Sequence, residues 1–379
     1  MVAKESSRVH KVSATYVAPK MRKNNEGALL PADKKSCETV KQQSMEFEAS
    51  KQNTYYSKLE CNAIDLTEFN FDALEIPYID SHCHTDFIFN KLKSRPGEGL
   101  SQWMHRYPRS FPRAFAGIIA NFIDPSLFTS SPENTDSDLN WISNELKFHY
   151  YIGSTWGCHP HFSQKYAGDN RFWECLEDIF RQKDKFLVVA VGECGIDLFK
   201  SESSLDAQKY AFERQIELAF RYDLALVIHC RSGKNGNAEE ECIDILKNAI
   251  QKYGHRYLRI HRHCYTEDWS NAKVWMEQFP NLVFGFTPAV YSFGPKQLET
   301  LRQIPLDRIV LETDAPYFLP KQLANCAPPK ISLPGMASAT AFKIAEIKKL
   351  HIDEVMRAAF LNTRRIYGLD AAYTKLLNN

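Results

Sequence analysis

The sequence predicts a (β/α)8 barrel preceded by a polar arm, and three observations carry that expectation. From Phe69 onward, short apolar runs alternate with longer amphipathic stretches, the pattern of strands followed by helices. Eight such runs occur. Histidines and carboxylates stand at the ends of most of them, and a barrel gathers such groups at the C-terminal ends of its strands. A doubly wound open sheet, also compatible with the alternation, would collect them only at the crevice where the strand order reverses.

The chain has 379 residues, 44% hydrophobic and 25% charged, with a formal net charge of +1. These values suit a globular protein better than a disordered or membrane one. Single cores stop growing near about 250–300 residues, which leaves room for one large domain and a tail. Near-neutrality excludes binding of nucleic acid through global charge, so a polyanion must be held by a local patch or by metal ions. Ten cysteines without a Cys-x-x-Cys pair are too sparse for a disulfide scaffold and read as reduced thiols. No run approaches the ~18 apolar residues that span a bilayer, and the start lacks the apolar region of a secretory signal. An intracellular protein, cytoplasmic or nuclear and without membrane contact, is expected. Residues 1–68, polar and without sustained periodicity, are expected to form a disordered arm carrying the basic clump Lys20, Arg22 and Lys23; residues 69–379 hold the barrel.

In chain order, strands are expected at 76–80, 115–120, 150–155, 186–191, 224–229, 258–263, 282–286 and 308–312. Helical patterns follow at 206–221, 238–253, 269–279, 338–350 and 352–367. In the first of these, Tyr210, Phe212, Ile216, Leu218 and Phe220 supply the apolar face, and Lys209, Glu213, Arg214 and Glu217 face water.

The first strand runs into Asp80-Ser81-His82-Cys83-His84 and the fourth into Gly192-Glu193-Cys194. The fifth runs into His229-Cys230-Arg231, the sixth into His263-Cys264-Tyr265 and the eighth into Glu312-Thr313-Asp314. One histidine at a strand end is an ordinary hydrogen-bonded residue. Four imidazoles and two carboxylates gathered at one mouth are costly to bury without a cation. Residues two apart on a strand share a face, so His82 and His84 are expected to point together into the mouth. By the same count Cys83, Cys194, Cys230 and Cys264 face the helices as small core residues. Imidazole and carboxylate donors suit Zn, Mn, Fe, Co or Mg without choosing among them. Six donors exceed one tetrahedral site, and a carboxylate such as Glu193 could bridge two ions.

Together with Gly157-Cys158-His159-Pro160-His161 and Ala315-Pro316-Tyr317, these segments resemble the TatD family of metal-dependent nucleases over roughly residues 76–368. The arm and the segments 261–266 and 286–288 are most similar to the family's eukaryotic TatD domain-containing 2 branch. The resemblance implies a TIM barrel of the metal-dependent amidohydrolase type that uses divalent metal ions, two of them Mg, Mn or Zn. It also implies hydrolysis of phosphodiester bonds in DNA or RNA, as a 3′-exonuclease; the narrow mouth expected of the barrel suits single-stranded ends better than continuous duplex. Carried over by residue, His82, His84, Glu193, His229, His263 and Asp314 are metal ligands. Two departures, Cys194-Gly195-Ile196-Asp197 for the usual Ile-Gly-Leu-Asp and Cys230-Arg231-Ser232-Gly233 for an Arg-Asp or Arg-Glu-Ala continuation, leave the ligands in place and bear on substrate choice.

For in-line attack of water on phosphorus, Asp314 is expected to hold the water and take its proton. Glu312, on the same strand face, is a second base or an orienter of a ligand imidazole, the latter preferred. His161 is expected at the phosphate or leaving oxygen ahead of His159, whose backbone Pro160 restricts. Arg231 and Lys234 lie in a glycine-containing loop suited to phosphate. Tyr265 and Tyr317, with Phe162, are placed to stack on an unpaired base, whereas Phe318 packs the rim. His261 is expected one layer deeper, hydrogen-bonded in the core. Two alternatives stand beside the nuclease. A small-molecule amidohydrolase or lactonase is disfavoured because no lysine lies between Phe186 and Phe199 to be carboxylated, and a noncatalytic nucleic-acid-binding scaffold is disfavoured by the complete donor set.

Overall fold

The computed structural model describes residues 70–129, 135–234, 236–254, 258–320, 323 and 330–369; the expected arm lies outside the described residues. Eight parallel strands form one sheet in chain order: β1 (Tyr78–Cys83), β2 (Phe115–Phe122), β3 (Tyr151–Trp156), β4 (Val188–Asp197), β5 (Ala225–Arg231), β6 (Ile260–Arg262), β7 (Leu282–Phe286) and β8 (Ile309–Leu311). The segment after β8 returns to β1. Cys83 bridges Ala315 in parallel, Asp314 N donates to His82 O at 3.0 Å, and His84 N donates to Ala315 O at 2.8 Å. The sheet is therefore a nearly closed barrel, as expected.

Helices fall where the amphipathic pattern puts them because their starts are capped. Ser204, Asn237 and Asp268 accept first-turn backbone N–H groups at the heads of Leu205–Tyr222, Ala238–Tyr253 and Trp269–Gln278. Tyr210 departs from the expected inward face and is 46% exposed.

The period of two runs cleanly through β5. Leu226 and Ile228 pack against the helical layer, while Ala225 and Val227 join an inner cluster with Ile79, Ile119, Val283 and Val310 that Tyr367 closes off. In β1 and β4 the period breaks. Pairing shifts register between Asp80 and Cys83 against β2 and between Gly192 and Cys194 against β5. A bulge re-aims every residue after it. Counted in twos from the inner residue Ala190, Cys194 should face the barrel axis; instead it packs in the outer layer, and Glu193 faces in. The bulges also let β1 and β4 run past their expected ends, so Glu193 lies within a strand rather than beyond one.

Arg262 locks this end of the barrel from outside. It is fully buried; Nη2 donates to Cys230 O at 2.5 Å and to Glu239 Oε1 at 2.7 Å, and Nη1 donates to His263 O at 2.8 Å. Trp275 Nε1 donates to the other Glu239 oxygen. One guanidinium thus ties the ends of β5 and β6 to two helices. Removing one member of a buried pair leaves an uncompensated charge, so Glu239→Ala should lower the unfolding free energy in urea by about 3–5 kcal/mol. The double variant Arg262→Met, Glu239→Leu should lose much less, and equal losses would contradict the pairing argument.

Candidate active site

Glu193 stands buried at the centre of the mouth, and its two oxygens face different neighbours. Oε1 lies 3.1 Å from His82 Nε2 and 3.2 Å from His84 Nε2. Asp314 Oδ1 joins this group, 3.1 Å from His84 Nε2 and 3.7 Å from His82 Nε2. Oε2 lies 3.3 Å from His229 Nδ1, 3.5 Å from His263 Nε2 and 3.8 Å from His159 Nε2. Two donor groups share one carboxylate.

Outer acceptors orient the rings. His84 Nδ1 donates to Asn121 O at 3.0 Å, His229 Nε2 donates to Asp197 Oδ2 at 3.1 Å, and His263 Nδ1 lies 3.2 Å from Glu312 Oε1. A nitrogen that donates outward leaves its ring partner with a lone pair toward the centre, which is how metal-ligating imidazoles are held. His159 is held the other way. Its Nδ1 accepts from His161 N at 3.1 Å, so in the neutral ring Nε2 bears the proton, and it reaches His229 Nδ1 at 3.2 Å. Burial, then the neighbouring His229, keeps His159 well below the usual imidazole range and therefore neutral.

This donor set fits a cation. His82 Nε2 and His84 Nε2 are 3.3 Å apart, and with Glu193 Oε1 they show the spacings that bonds of about 2.0–2.2 Å produce between ligands. Burial would raise the Glu193 carboxyl, but the charges of His263 and His82 outweigh it and hold it well below the carboxylate range. Glu312 is likewise held low against burial, by His263 and His261. Burial and the neighbouring His263 push His82 down to about 4. Burial would lower the other rings too, but the surrounding carboxylates outweigh it and raise His84 and His229 and, to about 9, His263. Ligating imidazoles must be neutral, so divalent metal would displace these protons.

The six residues expected as ligands converge here, Glu312 stands in the ring-orienting position preferred for it, and several others depart from expectation. Glu312 is fully buried, accepts from Cys264 N at 2.6 Å and lies 2.9 Å from His261 Nε2, so it positions rings and is not placed to act as a base. Gly285 makes that room, since a Cβ there would collide with the Glu312 carboxylate and the His261 ring. His261 lies deeper, as expected, with Nδ1 at 2.6 Å from Tyr367 Oη. His161, the favoured phosphate contact, has its Nε2 on Asp197 Oδ2 at 3.0 Å; the helical turn Pro160–Phe162 carries it outward and leaves the extended His159 facing in. Tyr265 is 1% exposed, with its ring against Phe284 and its hydroxyl on Asp268 O, so it offers a base no face. Arg231 is exposed with its guanidinium over the ring of Phe199, and Lys234 is exposed. Tyr317 is 47% exposed with its ring 6.5 Å from that of His84, and Phe318, expected to pack, is 41% exposed. Cys83, Cys194 and Cys230 pack on the helical side. Cys264 does not, because β6 ends at Arg262 and a φ of 46° ends the alternation; its Sγ lies within 4.8 Å of donor atoms of His263 and Asp314.

Two residues of the site have no role assigned from the sequence. Asp197 is buried at the end of β4; burial would raise its carboxyl, but hydrogen bonds from His161, then His229 and Lys200 N, hold it well below the usual range. Its signal in the sequence was its place four residues after Glu193, on the same face once the bulge is passed. Asp80 accepts from His82 N at 3.2 Å, Thr313 N at 3.0 Å and Thr313 Oγ1 at 2.5 Å, which ties the His82 segment to the Asp314 segment.

Comparison with known proteins agrees with this geometry. Residues 79–368 match the family model described as TatD related DNase. The chain is 35% identical over 299 residues to the human 3′-5′ RNA nuclease TATDN2, covering 78% of this chain and 36% of that protein, so it spans about a third of that relative's length. It is 30% identical over 221 residues to the 3′-5′ ssDNA/RNA exonuclease TatD of Erwinia amylovora, covering 58% of this chain and 79% of that protein. Among solved structures, the hydrolase TatD family protein of Entamoeba histolytica superposes with a TM-score of 0.60 at 18% identity, covering 78% of this chain and 99% of that one. The TatD homologue YjjV of Escherichia coli gives 0.59 at 21% identity, covering 77% and 98%, and both share the fold. With the family model matched across the whole described barrel, the chain belongs to the TatD related DNase family.

Proposed function

We propose that the chain is a divalent-metal-dependent nuclease that removes nucleotides from the 3′ ends of single-stranded RNA and DNA. The observation that carries this is Glu193, shared between two donor groups, which suits a pair of ions acting on one phosphodiester. The names of the human and Erwinia relatives support the substrate class and the polarity.

His82, His84, Asp314 and Glu193 Oε1 would hold one ion, and His229, His263 and Glu193 Oε2 the other; the all-nitrogen and oxygen set suits Mg, Mn or Zn. When bound, such ions polarise the phosphate and make a water acidic near neutral pH. Asp314, with Oδ1 toward His84, has its second oxygen to hold the attacking water and take its proton. His159 donates Nε2–H to a phosphate or leaving oxygen, the part first expected of His161. Asp197 keeps His229 and His161 in place, and Lys234 meets the strand's backbone at the rim. The seven described cysteines are free thiols, which favours a reducing compartment, cytoplasm or nucleus; among the described residues no helix is long and apolar enough to cross a membrane.

Three outcomes are expected. With Mn or Mg, 5′-labelled single strands of RNA and DNA should shorten stepwise from the 3′ end and be protected by EDTA; cleavage of an ester or amide with no oligonucleotide cut would give the barrel to small-molecule chemistry. Asp314→Asn should lower kcat about 10²–10⁴-fold in the same assay with the fold intact by circular dichroism. Asp197→Asn, acting through His229, should weaken metal affinity about 10–100-fold in an equilibrium titration, and wild-type affinity would show that the carboxylate has no orienting role.

A further inference from the structure

We propose that Phe199, capped by Arg231, is a base-stacking post that works with Tyr317 across the mouth to grip the two nucleotides flanking the scissile phosphodiester; the proposal rests on the nuclease function above. Six large hydrophobic side chains are prominently exposed among the described residues. Three of them, Phe199, Tyr317 and Phe318, follow strand ends at the mouth. A lone exposed aromatic is ordinary, but half of them gathered around one polar site is a pattern that points to a ligand with apolar faces.

Their placement suits a strand drawn across the site. Phe199 comes two residues after the end of β4, and Tyr317 three residues after Asp314 in the segment beyond β8. In a closed order of eight, β4 and β8 are four apart, so the segments that carry the two rings leave the barrel on opposite sides. Each is coupled to a different group. Phe199 N donates to Asp197 Oδ1 at 2.8 Å, and the other oxygen of that carboxylate receives His229 and His161. Tyr317 meets the other group, its ring edge-on to His84 at 6.5 Å.

The Phe199 ring is backed by a cation and stays largely exposed. The Arg231 guanidinium lies 4.4 Å from the ring centroid on one side, while 55% of the residue remains exposed. An arginine-backed aromatic ring attracts a base by stacking and by cation–π attraction, and does so without reading base edges because every base has a π-face. A phosphate at Glu193 with an unpaired base on either side would bring both posts into use. Duplex would bury its bases away from them, which favours single strands. Arg231, first expected to bind phosphate, is on this view part of the base platform.

The test is steady-state cleavage of single strands carrying an abasic residue on one or the other side of the scissile bond, by wild type, Phe199→Leu, Tyr317→Leu and Tyr210→Ala. Phe199→Leu should lower kcat/KM on the intact strand about five- to a hundredfold, mainly through KM. That loss should vanish when the abasic residue lies on one side of the bond, and the Tyr317→Leu loss when it lies on the other. Tyr210→Ala, altering an exposed aromatic on the outer helix Leu205–Tyr222, should cleave like wild type. Wild-type kinetics for Phe199→Leu, or an equal loss on both abasic strands, would overturn the proposal. A wild type that cuts no strand would remove the nuclease function itself and the proposal with it.

Discussion

Ionised groups cannot be buried in a cluster unless their charges are balanced. The mouth of this barrel brings Glu193, Glu312, Asp197 and Asp314 together with seven imidazoles, most of them out of contact with water. Much of the surrounding structure answers to that constraint. Asn121 O, Asp197 and Glu312 hold ring nitrogens that face away from the centre, leaving lone pairs directed inward at short mutual distances. Asp80 stitches β1 to the segment after β8, so that closing the barrel and completing the donor set are the same event. Arg262, with Glu239, secures the carbonyl of His263 from behind.

The net charge of +1 acquires a specific meaning in this setting. Global charge cannot concentrate a polyanion on such a protein. Two divalent ions would add about four positive charges at the point where the proposed phosphodiester would sit, a local field that a side-chain count does not contain. Binding through so few contacts needs additional affinity from elsewhere, and the exposed aromatic rings beside the donor groups are the chemically suitable source.

Much of the fold and of the donor set was legible in the sequence because alternating apolar runs and histidines at strand ends are local signals. The helices Ala238–Tyr253 and Ile352–Tyr367 begin and end where periodicity and capping residues say. What stayed hidden depends on pairing between distant strands. The bulge that turns Glu193 inward exists only in register with β5, so periodicity along β4 does not contain it; the inward direction of Glu193 was legible only from the chemistry of its neighbours. Tyr265 illustrates the opposite error: it follows a ligand directly, yet its surroundings in three dimensions make it a core residue. His159 faces inward and His161 outward for a similar reason, since the helical turn Pro160–Phe162 and the contact with Asp197 from β4 set their directions.

The central claim is that Glu193 joins two ion sites, and its most direct test is calorimetric titration of Mn²⁺ into chelator-treated wild-type protein and Glu193→Ala. The account predicts two ions per wild-type chain and weakened binding at both sites in the variant. A variant that binds the same number of ions with the same affinity would contradict it.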